Sequence, residues 1–458
     1  MRTPEPPRAS TYKYHRSAPS QRMWRWCGRI SFCGLSVILH LGLFTALAVI
    51  ITWAPFESLF DGLLVPPASA ANEVVIDGIL HIQNDGAPLH GQQVVQLEEL
   101  WRRGSEEDEV FFGSIAQVLA DDAGNIYVLD QQQSHVEVFS PEGEYLQTLS
   151  REGEGPGEVR RPEDMLFMPD GTLGLVQYFN GRIITINLDG TPVGVVMPPG
   201  SGADGGGMPS IRRARYRGGN FVVNGARVVP QDAGMERTQY LASWTPEGEE
   251  RMRYVDLTTT PQLFTEGWIE KTQYFPESER WALGPDGRVY TAESRDNYTV
   301  NVYSPDGKLE RVIERTLKPR RRTAQEKEDI AASLVVIRDG ERVRINVEVE
   351  DFAPAVTELW VQEDGSLWIL PSPGERDQPA GVMQTYDVFD GQGRLVRQVA
   401  LACEGNARKD RLIFFAPGRV ALIRGAVDAR QNMFGGGADD GDEEPPVHEV
   451  VIYRYDQS

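Results

Sequence analysis

One pattern recurs along this chain and fixes what it can fold into. Residues 115–149 read IAQVLADDAGNIYVLDQQQSHVEVFSPEGEYLQTL, residues 163–196 read EDMLFMPDGTLGLVQYFNGRIITINLDGTPVGVV, and residues 280–313 read RWALGPDGRVYTAESRDNYTVNVYSPDGKLERVI. Each copy carries two acidic–Gly turns about one hairpin apart, at Gly124 and Gly143, Gly171 and Gly190, Gly287 and Gly307. Short alternating runs of Val, Ile, Leu and Tyr surround them. This is the signature of four short antiparallel strands per unit, and a repeat of that length predicts an all-β propeller blade.

Three weaker units complete the count. Residues 209–255 follow the same plan with a longer connection between second and third strands, and residues 356–399 give VTELWVQEDGSLWIL, a loop, then VMQTYDVFDGQGRLVRQV. Residues 410–455 supply only three strands, DRLIFFA, RVALIRG and EVVIYRY. The isolated strand pattern QVVQLEEL at 93–100 is expected to provide the fourth and so remove the free sheet edges of the ring. The expected architecture is a six-bladed β-propeller over 91–458, with insertions at about 315–350 and 433–446. Hairpins at this spacing also fit a β-sandwich, but the two similar turns in every unit favour a propeller. Charges such as Arg182 and Asp306 within the units argue against a transmembrane barrel.

The N-terminal part obeys a different physics. Residues 30–53 are 24 consecutive uncharged, mostly apolar residues, enough for one membrane-crossing helix. Arg2, Arg8, Lys13, Arg16, Arg22, Arg25 and Arg29 precede the run, and Glu57 and Asp61 follow it. The positive-inside rule therefore places 1–29 in the cytoplasm and the propeller across an inner membrane, in the periplasm or outside, joined by a linker over 54–90. Ala68-Ser69-Ala70 has the form of a signal-peptidase site but lies 17 residues past the run, so an uncleaved anchor is favoured and secretion after Ala70 is the alternative. Beyond residue 29 the chain carries 39 basic and 66 acidic side chains, which excludes nucleic acid as a natural partner. Only Cys403 lies in the exported part, so no internal disulfide forms there.

The sequence also carries a family resemblance. GNIYVLD at 124–130, the polar loop and SPEGEYLQTL that follow, and GEGPGE at 153–158 resemble the NHL-type six-bladed propeller proteins of bacteria. Asn180-Gly181-Arg182-Ile183 is similar to the N-x-R-I step of NHL repeats. GEGPGE resembles the G-x-G-P-G-E-F signature of exported propellers, with Val159 in place of the aromatic residue. The likeness spans roughly 90–455 and implies a fold rather than an activity.

In a blade the first-to-second and third-to-fourth turns share one face, and the second-to-third and interblade loops share the other. The long, individual loops all belong to the second face, where a ligand is expected near the central channel. Candidate ligand-binding residues there are Asp130, His135, Glu158, Arg161, Tyr178, Asn180, Arg182 and Arg295. Arginine with Tyr and Asn holds carboxylates or sugars by bidentate and stacking contacts. The competing interpretation is that Arg161 and Arg182 tie blades together and Glu158 caps local amides.

Chemistry has thinner support. Asp130, Glu158 and Asn180 are candidate oxygen ligands for calcium in a metal-dependent hydrolase or lyase, although no spacing singles them out. His81, His90, His135 and His448 lack the paired spacing of a zinc site, and G-x-S-x-G, H-E-x-x-H and phosphate-cradling glycine loops are missing. No catalytic residue and no cofactor is assigned. The expectation is a binding module for a small polar ligand or a protein, with the metal-dependent enzyme as its alternative. In the 315–350 insertion, Thr323 is placed to cap a helix, and Arg320-Arg321-Arg322 either meets an acidic partner or forms ion pairs within the insertion.

Overall fold

The computed structural model describes residues 71–456, except 106, 202–205, 232–233, 262–266, 335, 339–340 and 434–447. The basic segment 1–29, the apolar run 30–53 and Ala70 lie outside these residues, as does the acidic loop after Met433. Among the described residues no helix is long and apolar enough to cross a membrane.

Six antiparallel sheets follow one another along the chain, each built around four strands in blade order. Blade one comprises Ile115–Ala120, Ile126–Asp130, His135–Phe139 and Tyr145–Leu149. Blade two comprises Pro162–Phe167, Leu173–Gln177, Arg182–Ile186 and Pro192–Val196. Blade three has much longer strands, Met208–Arg217, Asn220–Gln231, Gly234–Trp244 and Glu250–Thr259. Blades four, five and six begin with the inner strands Trp281–Leu283, Val356–Val361 and Arg411–Ala416.

Period-two patterning explains why these sheets stand in a ring. Successive residues of a strand face opposite sides, and in the inner strands both sides are apolar. In blade one Ile126 and Val128 pack with Ile413, Ile423 and Ile452 of blade six, whereas Tyr127 and Leu129 pack with Met165, Leu173 and Leu175 of blade two. The same division holds at every interface, giving six buried clusters, one between each pair of neighbouring blades. The glycines of the repeated turns adopt positive φ, 84° at Gly124 and 86° at Gly143, a conformation that costs a side chain dearly. Gly143 is doubly constrained, since a Cβ there would meet the Trp101 ring at 2.6 Å.

The segment before blade one departs from the sequence expectation. Residues 72–83, placed in a linker, form the hairpin Asn72–Ile76 and Ile79–Gln83, whose second strand runs parallel to Leu309–Glu314 of blade four. The single strand expected at 93–100 is two strands. Gln92–Gln96 lies parallel to Leu395–Ala402 of blade five, and Glu98–Arg103 is the fourth strand of blade six, antiparallel to Val450–Arg454. Trp101 on that last strand is 7% exposed, packs against Phe139 with ring centroids 5.5 Å apart, and donates its indole N–H to the Pro141 carbonyl at 3.0 Å. Replacing it removes a large buried ring that joins blade six to blade one. Trp101→Ala is expected to cost about 3–5 kcal/mol, read as a lowered denaturant midpoint. An effect under about 1 kcal/mol would contradict this packing.

Candidate functional site

The inner strands start with an irregularity that the turns do not reveal. In blades one, two, three and five the pairing of the first and second strands slips by one residue at the start of the inner strand, leaving Ala116, Glu163, Arg212 and Thr357 as the extra residue. A bulge of this kind re-aims side chains. Here it lets two successive residues face the channel: Ala116 and Gln117, Glu163 and Asp164, Arg212 and Arg213, Thr357 and Glu358. In blade four a 3-10 turn over Ser278–Arg280 takes the place of the bulge, and in blade six Asp410 and Arg411 occupy the position. The four pairs, Ser278, Glu279, Asp410 and Arg411 line the wall of a cavity of about 770 Å³ at the long-loop end of the channel.

Two helices add to the wall. The helix Ala324–Ser333 contributes Asp329, Ala332 and Ser333, and the helix Ala426–Met433 contributes Ala426, Val427, Arg430 and Gln431. The first begins in a capping box, in which the Glu326 amide donates to Thr323 Oγ1 at 3.2 Å and the Thr323 amide to Glu326 Oε2 at 2.8 Å. The basic cluster secures it. Arg320 pairs with Glu326 at 2.8 Å, Arg322 with Glu270 at 2.6 Å, and Arg321 lies 3.6 Å from Asp351. Of these pairs only Arg320–Glu326 lies within the 315–350 insertion, while Arg322 and Arg321 reach Glu270 and Asp351 outside it.

The charges divide into those that fasten and those that face the cavity. Asp164, 2% exposed, takes hydrogen bonds from Gln117 of blade one at 3.1 Å and from the Ala214 amide of blade three at 3.0 Å, and pairs with Arg215. It locks three blades together. Arg212 joins Glu163 at 3.2 Å and Glu277 at 3.1 Å, with its guanidinium 4.8 Å from the centre of the Tyr178 ring. Arg411 bridges opposite sides of the channel, pairing with Glu279 of blade four at 2.8 Å and donating to the Ala116 carbonyl of blade one at 3.3 Å. Arg213 donates to the Ser278 carbonyl and, among the described residues, has no carboxylate within ion-pair distance.

Two carboxyls on this wall are shifted in opposite directions. Burial disfavours the charge of Glu279, but Arg411 and then Arg213 outweigh it and hold the group down to about 2. Burial, and next the charge of Glu279, push Glu358 up to about 7 against the pull of Arg411 and Arg213. One environment thus holds Glu279 ionised and Glu358 well above the ordinary glutamate range, because the first to ionise raises the cost for the second. Burial lowers Arg213, helped by Arg215, to about 10, which still leaves it cationic at neutral pH.

None of the eight loop residues nominated from sequence lines this cavity. Asp130 is fully buried and accepts from the Gly113, Ser114 and Gln133 amides and from the Gln133 side chain. Glu158 accepts from the Gly155 amide at 2.8 Å and from Arg151 at 2.7 Å, which shapes the GEGPGE crossover. His135 lies 3.2 Å from Glu137. Arg161, at φ 45°, donates its amide to Ser134, and Asn180, at φ 71°, sits in a tight turn. Arg182 holds Glu154 at 3.0 Å and Gln177 at 3.2 Å. Arg295 pairs with Glu270 at 3.0 Å and Asp296 at 2.8 Å. Tyr178 alone reaches the cavity wall, through Arg212. As calcium ligands Asp130 and Glu158 fit poorly, since their oxygens already serve amides and Arg151. Among the described residues no group of three or more His, Cys, Asp or Glu side chains is placed to hold a metal ion.

The site residues carry a signal that a loop-centred reading passes over. Aligned by blade, the pairs AQ, ED, RR, SE, TE and DR fall where an apolar alternation should begin, and polar residues at the start of an inner strand have nowhere to point except the channel.

The opposite shifts of Glu279 and Glu358 have a testable consequence. The folded protein keeps the proton on Glu358 above the ordinary glutamate value of 4.5, so this group costs no stability at acid pH and an increasing amount as pH rises through about 7. Glu358→Gln should melt above the parent protein at pH 8, by about 1–3 kcal/mol, with the gap closing at pH 5. Equal melting at both values would contradict the arrangement.

Comparison with known proteins agrees with this architecture. A family model described as a 6-bladed beta-propeller (DUF5128) matches residues 106–195. No curated protein matches the chain. Among solved structures, a protein of Bacteroides fragilis described as exported is 10% identical, with a TM-score of 0.42, over 81% of this chain and 98% of that one. A member of the duf4221 family from Bacteroides vulgatus is 10% identical with a TM-score of 0.43, over 79% of this chain and 98% of that one. Virginiamycin B lyase from Staphylococcus aureus is 8% identical with a TM-score of 0.38, over 77% and 98%. The chain is thus a six-bladed β-propeller by its own sheets and by the family model over its first two blades.

Proposed function

We propose that this protein is a membrane-held, exported propeller of the NHL-like kind that binds a small polar ligand in the channel-mouth cavity. The observation that carries the reading is the cavity itself. Its volume of about 770 Å³ suits a small molecule, all six blades contribute to its wall, and the wall is polar at its centre. A surface used only to pack blades would have no reason to set Glu358, Glu279, Arg213 and Arg411 around an open space. The cost of desolvating such charges is recovered when a complementary ligand fills it. The metal-dependent hydrolase or lyase has less support, because Asp130 and Glu158 are engaged in shaping loops.

Ligand binding raises the melting temperature of the state that binds. Full-length protein in detergent, screened against polar metabolites by thermal shift, should be stabilised by a restricted set of compounds. Thr357→Trp, which places an indole in the cavity, should abolish that response. A response that survives Thr357→Trp would move the binding site elsewhere.

Export and anchoring rest on the 24-residue apolar run and its basic flank. In cells, protease added to spheroplasts should digest the propeller, and the intact chain should stay in the membrane after a carbonate wash. Recovery of a soluble form beginning at Ala71 would replace the anchor with a cleaved signal.

A further inference from the structure

Resting on the cavity as a ligand site, its charges specify what it takes. Several acids on the wall are already answered. Glu279 is held by Arg411 at 2.8 Å, Glu163 by Arg212 at 3.2 Å, and Asp410 accepts from the Gly425 amide at 2.9 Å and the Asn406 amide at 2.7 Å. Asp329 accepts from Gln325 at 2.9 Å. The arginines are not all answered. Arg213 gives one N–H to the Ser278 carbonyl, and among the described residues neither it nor Arg430 has a carboxylate within ion-pair distance. An anion approaching Arg213 would find guanidinium N–H groups still free to bind it.

We propose that the cavity holds the carboxylate of a small, hydroxyl-bearing organic acid at Arg213, next to the Arg411–Glu279 pair and with the Glu358 side chain on the same wall. A guanidinium fork matches a carboxylate by two parallel hydrogen bonds. On the rest of the wall Gln117, Gln131, Ser278, Thr357 and Gln384 supply amides and hydroxyls for the hydroxyl groups of such an acid.

Glu358 makes the binding proton-linked. It faces Glu279 from blade four, Arg411 from blade six, Arg213 from blade three and Glu375 from the short helix Ser372–Glu375, with the Tyr386 hydroxyl behind it. Tyr386 itself donates to Gln384 at 2.9 Å. Of these neighbours only the two arginines favour the charge of Glu358, and burial with the charge of Glu279 pushes its carboxyl up to about 7. A bound carboxylate adds a further like charge and raises that value. Binding therefore takes up a proton around neutrality. Below about 7 the affinity is flat. Above it the affinity falls by up to tenfold per pH unit, as Glu358 must be reprotonated for the anion to enter.

The test uses D-glucuronate as probe, with glucose and glucosamine as the neutral and cationic members of the same ring series. Full-length protein in a detergent without sugar head groups is titrated calorimetrically at pH 5.5 and pH 8, and at neutral pH in two buffers of different ionisation heat. Glucuronate should bind at pH 5.5 at least tenfold more tightly than at pH 8 and more tightly than either relative, with proton uptake at neutrality. Arg213→Met should weaken it at least tenfold at pH 5.5, Arg213→Lys by less, and both should melt cooperatively. Glu358→Gln should bind at pH 8 as the parent protein does at pH 5.5. Preference for glucose or glucosamine, no binding of glucuronate, indifference to Arg213→Met, or an unchanged pH dependence in Glu358→Gln would each overturn the inference. Binding of glucosamine or glucose that Thr357→Trp abolishes would do so while leaving the cavity as a ligand site. Failure of every compound in the thermal screen would remove both.

Discussion

Everything in this molecule depends on sheets that are apolar on both faces. A strand such as Ile126–Asp130 buries Ile126 and Val128 on one side and Tyr127 and Leu129 on the other. A sheet of this kind needs a neighbour on each face, and six of them satisfy one another only in a closed ring with one cluster per interface. At about 25 cal/mol for each Å² of apolar surface removed from water, burial of these faces dominates any single ion pair. The ring in turn creates an axis, and the inner strands must present their starts to it.

At that axis the physics changes from burial to charge. A four-fold repeat of the same bulge turns two residues per blade into the channel, where the effective dielectric lies well below that of water and arginine–carboxylate contacts gain strength. The consequence is a division of labour between similar side chains. Asp164 with Arg215, and Arg411 with Glu279, spend their charge on joining blades, while Arg213 and Glu358 face the open space with no ion pair among the described residues. On a chain with formal net charge −21, six arginines gathered on one cavity wall are a local concentration that packing alone does not demand.

The repeated strands and Asp-Gly turns were legible because period two and positive-φ glycines are local properties. Asn72–Ile76 was not, since it is largely exposed and lies at a sheet edge, where no buried face imposes alternation. The division of 93–100 into two strands depends on which blade each half meets, which no local pattern records. The eight loop residues nominated from sequence lie outside the cavity for a physical reason too. Irregular loops such as QQQSH and GEGPGE hold polar side chains because their own backbones need partners, as Asp130 and Glu158 demonstrate. The residues facing the cavity sit inside the repeated element, on inner strands that otherwise read as plain core.

The central claim is that the ligand meets the starts of the inner strands rather than the crossover loops. Hydrogen–deuterium exchange of the full-length protein, with and without a compound that raises its melting temperature, tests this directly. The account predicts added protection at 114–117, 163–164, 212–213, 278–279, 357–358 and 410–411, and along 426–433. Protection confined to 131–135, 150–161 and 177–182, or to the outer strands, would contradict it.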